Sequence, residues 1–78
     1  MELTEPVKQF LAGKDVEFRR LAARHKELSD KLEKFVHRSD LAEAEQQEER
    51  LIKKEKLNLK DQMLAIAAKY KDELAKIA

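Results

Sequence analysis

Residues 18–35 read FRRLAARHKELSDKLEKF, and the spacing of their apolar side chains decides the fold. Phe18, Leu21, Leu28, Leu32 and Phe35, with His25 filling the gap, recur in steps of three, four, three, four and three. A helix returns to one face at those intervals, so the stretch is a narrow seam of alternating a and d positions, as in a coiled coil. Such a seam needs a second helix to cover it.

The chain supplies that helix itself. From Asp40 onward it contains neither Gly nor Pro, and Ile52, Leu59, Met63, Ile66, Tyr70 and Ile77 continue a helical stripe, with Lys56 at one missing step and Glu73 or Leu74 at the other. The pattern predicts a helix over 40–75, roughly 50 Å long at ~1.5 Å per residue. Asp40 followed by Glu43 resembles a capping box, with Ser39 as a competing cap. Only Arg38-Ser39-Asp40 separates the two long helices, and so short a connection makes them antiparallel neighbours. Charges agree with the turn: Lys31, Lys34 and Arg38 close one helix, and every charged residue from Asp40 to Glu49 is acidic. Between Asp40 and Arg50 the only apolar residues are Leu41, Ala42 and Ala44. Packing is therefore expected to be loose at the turn and better from Leu51 to Ile66.

A short helix over 5–12 precedes the hairpin. Thr4 is its expected N-cap, and Pro6 falls in the first turn, where a missing N–H costs nothing. Leu3, Val7, Phe10 and Leu11 share a face, and Gly13 is expected to end the helix in a left-handed conformation. Asp15 then caps the first long helix, 15–37. The expected fold is all-α: an antiparallel, coiled-coil-like helical hairpin with a short N-terminal helix, in a single domain over 1–78.

Composition narrows the function. Charged residues make up 42% of the 78 and there is one Gly, one Pro and no Trp, which is the make-up of long helices. The absence of Cys rules out disulfides and zinc–thiolate sites. No apolar run approaches the roughly 20 residues that span a bilayer, and MELTEPVKQFLAGK has no signal-peptide core, so a cytoplasmic protein without membrane contact is expected. A net charge of +1 offers no bulk attraction for nucleic acid.

The stretch LIKKEKLNLKDQM, 51–63, interleaves leucines with lysines. Ile52, Leu59 and Met63 face the seam. Lys53, Lys54, Lys56 and Lys60 read as a solvated face whose stems cover apolar surface. The alternative, a nucleic-acid grip by these lysines, lacks aromatic side chains between Phe35 and Tyr70 on which bases would stack. A second apolar row, Leu57 and Leu64 extended by Ala67, Ala68 and Leu74, lies off the seam. A hairpin uses one seam, so this row is expected either to cover the N-terminal helix or to meet another subunit or partner helix. Homo-oligomerisation or helix docking is thus the expected activity, with no catalysis, cofactor, metal or small-molecule substrate. Ser29 follows His25 by one turn without an orienting group or oxyanion donor. His25 reads as a histidine at the seam's edge, with a pH-sensitive or register-setting role as the alternative. Glu33 and His37 read as a surface pair, and Asp61 is expected to pair with Arg19 or Arg20.

Three stretches, FLAGKDVEFRRLAARHKELSDKLEKF, SDLAEAEQQEERL and LIKKEKLNLKDQML, together resemble the YdcH-like family of small bacterial helical proteins. They span roughly residues 10–66. The resemblance implies a coiled-coil-like hairpin with no assigned activity, cofactor or partner. Its recurring residues fall here on Phe18, His25, Leu28, Leu51, Lys53, Lys56, Leu57, Leu59, Lys60 and Asp61. Lys26 stands where another His is common in the family and Ser29 where Asp is common. Both departures count against an acid–His device at His25.

Overall fold

A computed structural model describes residues 2–77 and contains four helices: α1 (Glu5–Lys14), α2 (Val16–Val36), α3 (Glu43–Lys69) and α4 (Lys71–Leu74). Helices α2 and α3 pack along each other as the hairpin, and α1 packs on α2. The molecule is a rod of 47 × 18 × 18 Å.

The start of α1 is as the sequence suggests. Thr4 is extended at φ −71°, ψ 166° and Pro6 lies in the first turn, although the Thr4 hydroxyl makes no capping bond. Its end is not. The helix passes through Gly13, which has no positive φ, and ends one residue later at Lys14. The expectation of a left-handed glycine is thereby corrected. Asp15 does the work instead, in extended conformation at φ −131°, ψ 118°. Its N–H donates to the Leu11 carbonyl at 2.8 Å, and its Oδ1 accepts the Phe18 N–H at 3.0 Å. One residue therefore closes α1 and opens α2, giving a tight corner without glycine. Arg19 Nε adds a bond to the free Ala12 carbonyl at 2.8 Å.

The turn between the long helices is longer than Arg38-Ser39-Asp40. Helix α3 opens with Ala42 as N-cap rather than Asp40 or Ser39. Alanine has no side-chain acceptor, so only half of a capping box exists: Glu45 Oε1 accepts the Ala42 N–H at 3.1 Å. The same carboxylate takes both ends of the Arg38 guanidinium, with Nη2–Oε1 at 3.2 Å. Glu45 serves the new N-terminus and holds the end of α2, and that double use fixes the start of α3. Asp40 is left with a long 3.5 Å contact to Arg38. Lys31 and Lys34 make no ion pair among the described residues, so the basic-to-acidic match at the turn rests on Arg38.

Among the described residues eleven apolar side chains form the core, and no polar side chain is buried. Leu11, Phe18 and Ala67 are fully excluded from solvent. From α2 the core takes Phe18, Leu21 and Leu28, and from α3 Ile52, Leu59, Met63, Ile66 and Ala67. Val7 and Leu11 of α1 and Leu74 of α4 complete it. Toward the turn Leu32 and Phe35 are half-buried, and nothing from Val36 to Leu51 is buried. The core is thus concentrated at the end where α1, α4 and the hairpin meet. Leu51, expected within the packed region, is 68% exposed.

The last helix is not continuous to residue 75. It breaks at Tyr70 (φ −106°, ψ 21°), whose N–H takes the tighter bond to Ala67 O at 3.0 Å. The Tyr70 hydroxyl donates to Asp15 Oδ2 at 2.8 Å. With Oδ1 engaged by Phe18, the Asp15 carboxylate ties the α1–α2 corner to the α3–α4 corner. Lys14 and Glu73 span the same gap at 3.2 Å. The break turns Leu74 into the core, where it is 3% exposed, and leaves Ile77 46% exposed rather than in the seam.

Candidate functional site

The expected seam residues lie between the helices. Phe18, Leu21, Leu28, Ile52, Leu59, Met63 and Ile66 are buried, while His25, Leu32, Phe35 and Tyr70 are half-buried. Registration across the seam comes from Arg24, whose Nε meets Glu55 Oε2 at 2.9 Å and whose Nη1 meets Glu27 at 3.1 Å. These two carboxylates raise the affinity of the guanidinium for its proton. The expected partner of Arg19 or Arg20 was Asp61, but Asp61 makes no ion pair among the described residues, and Arg19 is turned to α1. Glu33 and His37 form their surface pair at 3.0 Å.

The second apolar row divides. Leu57 is 61% exposed, Ala68 is exposed and Leu64 is half-buried, so these three lie along the outer side of α3. Leu74, expected either with them or at a seam step, belongs to the core because of the break at Tyr70. Of the two covers foreseen for the row, α1 reaches only its edge: Leu3, just ahead of α1, borders the same cavity as Leu57.

The lysines divide too. Lys53 is held by Glu49 at 3.1 Å, an i,i+4 pair along the helix, and Lys54 is exposed. Lys56 and Lys60 point instead into an open cavity of about 600 Å³ at the junction of α1, α2 and α3. There they meet Lys8 of α1 and His25 of α2. Leu3, Leu57 and Met63 supply its apolar wall, and Glu2 is its only acid among the described residues. Burial, followed by the charges of Lys56, Lys8 and Lys60, holds the His25 imidazole below the usual histidine range. A neutral imidazole and an excess of ammonium groups therefore face one space. Lys8 has a weak 3.6 Å pairing with Glu5 at the surface, and neither Lys56 nor Lys60 has a carboxylate within ion-pair distance among the described residues.

A second cavity, of about 630 Å³, lies at the other side of the N-terminal segment, lined chiefly by Pro6, Val7, Leu74, Ala75 and Ile77. Its wall is aliphatic and its nearest cation is Lys71. Among the described residues no group of three or more His, Asp or Glu side chains is arranged to hold a metal ion, and no helix is long and apolar enough to cross a membrane.

Periodicity alone could not have located Lys8 in the basic cavity, because residues 8, 25 and 56 belong to three helices with no common repeat. The pattern also placed Ala67 on the outer row, whereas its side chain is fully excluded from solvent in the core. The Asp15–Tyr70 bond, between residues 55 apart, left only the N-cap half of its signature.

No family model, curated protein or solved structure matches the chain, so the resemblance to the YdcH-like family rests on the three quoted stretches alone.

Proposed function

We propose that the chain is a non-enzymatic helical-hairpin protein that acts by pairing with a second copy of itself through the outer face of α3. The observation that carries this reading is Leu57, 61% exposed on a row continued by Leu64 and Ala68. An apolar row beside a small core gains by removal from water, at about 25 cal/mol per Å². At ~100° per residue Lys53, Leu57, Lys60, Asp61, Leu64 and Ala68 fall within an arc of roughly 100°. An antiparallel pairing about a dyad between residues 60 and 61 sets Leu57 opposite Leu64 of the second copy. Asp61 falls on the same arc and makes no ion pair within its own chain among the described residues, so no internal contact ties it away from this face. The self-complementarity of the Leu57–Leu64 pairing suits a two-fold, isologous contact.

Leu51 provides the control. It is exposed to a similar degree, 68%, yet lies roughly 240° around the helix from Leu57 by the same geometry. Light scattering at matched concentrations should show Leu57→Lys monomeric and Leu51→Lys still associated, both with unchanged helical circular dichroism. Association that survives Leu57→Lys would refute the assignment. A wild-type chain that stays monomeric would refute self-pairing and make a different helix the occupant of the row. Phosphate-backbone binding by residues 53–60 is the weaker reading, because Glu49 neutralises Lys53 and the lysines at 56 and 60 turn toward the cavity.

A further inference from the structure

We propose that the cavity between α1, α2 and α3 binds a small amphipathic anion. Its carboxylate or phosphate head lies among Lys8, His25 and Lys56, and its aliphatic body lies against Leu3, Leu57 and Met63. The space of about 600 Å³ falls within the ordinary range of ligand pockets.

Three features point to this ligand class. First, cations converge from separate elements, Lys8 from α1 with Lys56 and Lys60 from α3, beside the neutral His25 ring of α2. The chain carries 17 Lys and Arg against 16 Asp and Glu, so the concentration is local and does not follow from composition. Like charges brought together around one space raise its positive potential and favour an anion within it. Second, Lys56 is half-buried yet lacks a carboxylate partner among the described residues. A partly desolvated ammonium without a counter-charge is an unfavourable arrangement that a bound anion relieves. The acids are elsewhere: Glu5 lies along α1 beside Lys8, and Glu2 is the cavity's one carboxylate.

Third, the opposite wall is aliphatic. Among the described residues no aromatic ring lines the cavity, so a nucleobase would find nothing on which to stack, whereas an alkyl chain finds leucine and methionine. The Thr4 hydroxyl at the rim offers a further hydrogen-bond donor to the head group. The cavity is built within a single chain, so the inference does not rest on association through α3.

The test is a nuclear magnetic resonance titration of the full chain with octanoate, followed at the His25 ring and at the Leu57 and Met63 methyl signals. Inorganic phosphate and octanamide, each carrying half of the ligand's chemistry, are the comparisons. Saturable octanoate shifts at all three sites are expected, with octanamide and inorganic phosphate binding at least about fivefold more weakly. Lys56→Gln should weaken octanoate by at least about fivefold, Lys56→Arg should restore it, and Lys54→Gln, outside the cavity, should leave it unchanged. Octanoate that leaves these signals unmoved overturns the proposal. So does equal binding of inorganic phosphate, which would remove the aliphatic half. Equal weakening by Lys54→Gln would reduce the effect to diffuse surface charge and overturn it too. An octyl phosphate titration then separates the two head groups: tighter binding than octanoate assigns the site to phosphates, and weaker binding assigns it to carboxylates.

Discussion

Gly13→Ala is the sharpest perturbation of the fold because the two accounts of that residue differ in sign. A glycine holding a left-handed conformation at a helix end resists alanine, whose Cβ costs roughly 1–2 kcal/mol there. In this chain α1 continues through Gly13 with no positive φ, and a Cβ built there meets nothing within 4 Å. There is neither clash to relieve nor packing to gain, so the effect reduces to the backbone freedom that glycine keeps when unfolded. That freedom is worth about 0.5–1 kcal/mol in a helix, and less toward a helix end. For a chain of this size each 1 kcal/mol moves Tm by roughly 4–8 °C. Gly13→Ala is therefore expected to raise Tm by about 2–6 °C, with a matching rise in the urea midpoint and an unchanged m-value. A fall in Tm of more than about 2 °C would show that α1 ends at Gly13 and that the Asp15 corner is misassigned.

Three further outcomes follow from the packing and the charges. Leu11→Ala, at a site with no solvent exposure, should cost about 2–5 kcal/mol, while Leu32→Ala near the turn should cost about half as much. Equal losses in urea titration would contradict a core concentrated at the α1 end. Burial and the nearby lysines make the His25 imidazole resist protonation when folded, so the unfolded chain binds the extra proton as pH falls through the ordinary histidine range. Stability should be level at higher pH and decline from roughly pH 7 toward 5.5, and His25→Gln should flatten that decline; parallel slopes would remove His25 from the cause. Asp61→Ala should change stability by less than about 0.5 kcal/mol, since Asp61 makes no ion pair among the described residues. A larger loss measured in dilute, monomeric solution would reinstate the pairing with Arg19 or Arg20.

The hairpin could be read from residues 18–35 because a three–four spacing is itself the geometry of a helix face, and each position it named lies in or beside the seam. The helix ends were harder. Asp40 and Ser39 are better caps than Ala42 by chemistry, but Glu45 reaches back to Ala42 and across to Arg38, and those two bonds outweigh a single side-chain cap. Gly13 offered a stop signal that Asp15 made unnecessary. Tyr70 fitted the seam's spacing while also breaking the helix, because its hydroxyl has a partner 55 residues away. That one long-range bond is also why Leu74 left the outer row for the core. The outer row itself was visible as leucines off the seam, whereas the basic cavity was not. Its cations become neighbours only after α1 folds back on the hairpin.

The central claim is that the outer face of α3 is a contact between copies of this chain. Sedimentation equilibrium of the wild-type protein, over a wide range of concentrations at low and high salt, tests it most directly. A dimer that persists at high salt is predicted, because apolar burial at Leu57 and Leu64 is not screened by salt. A molar mass that stays at the 9.1 kDa monomer across the whole range would contradict it.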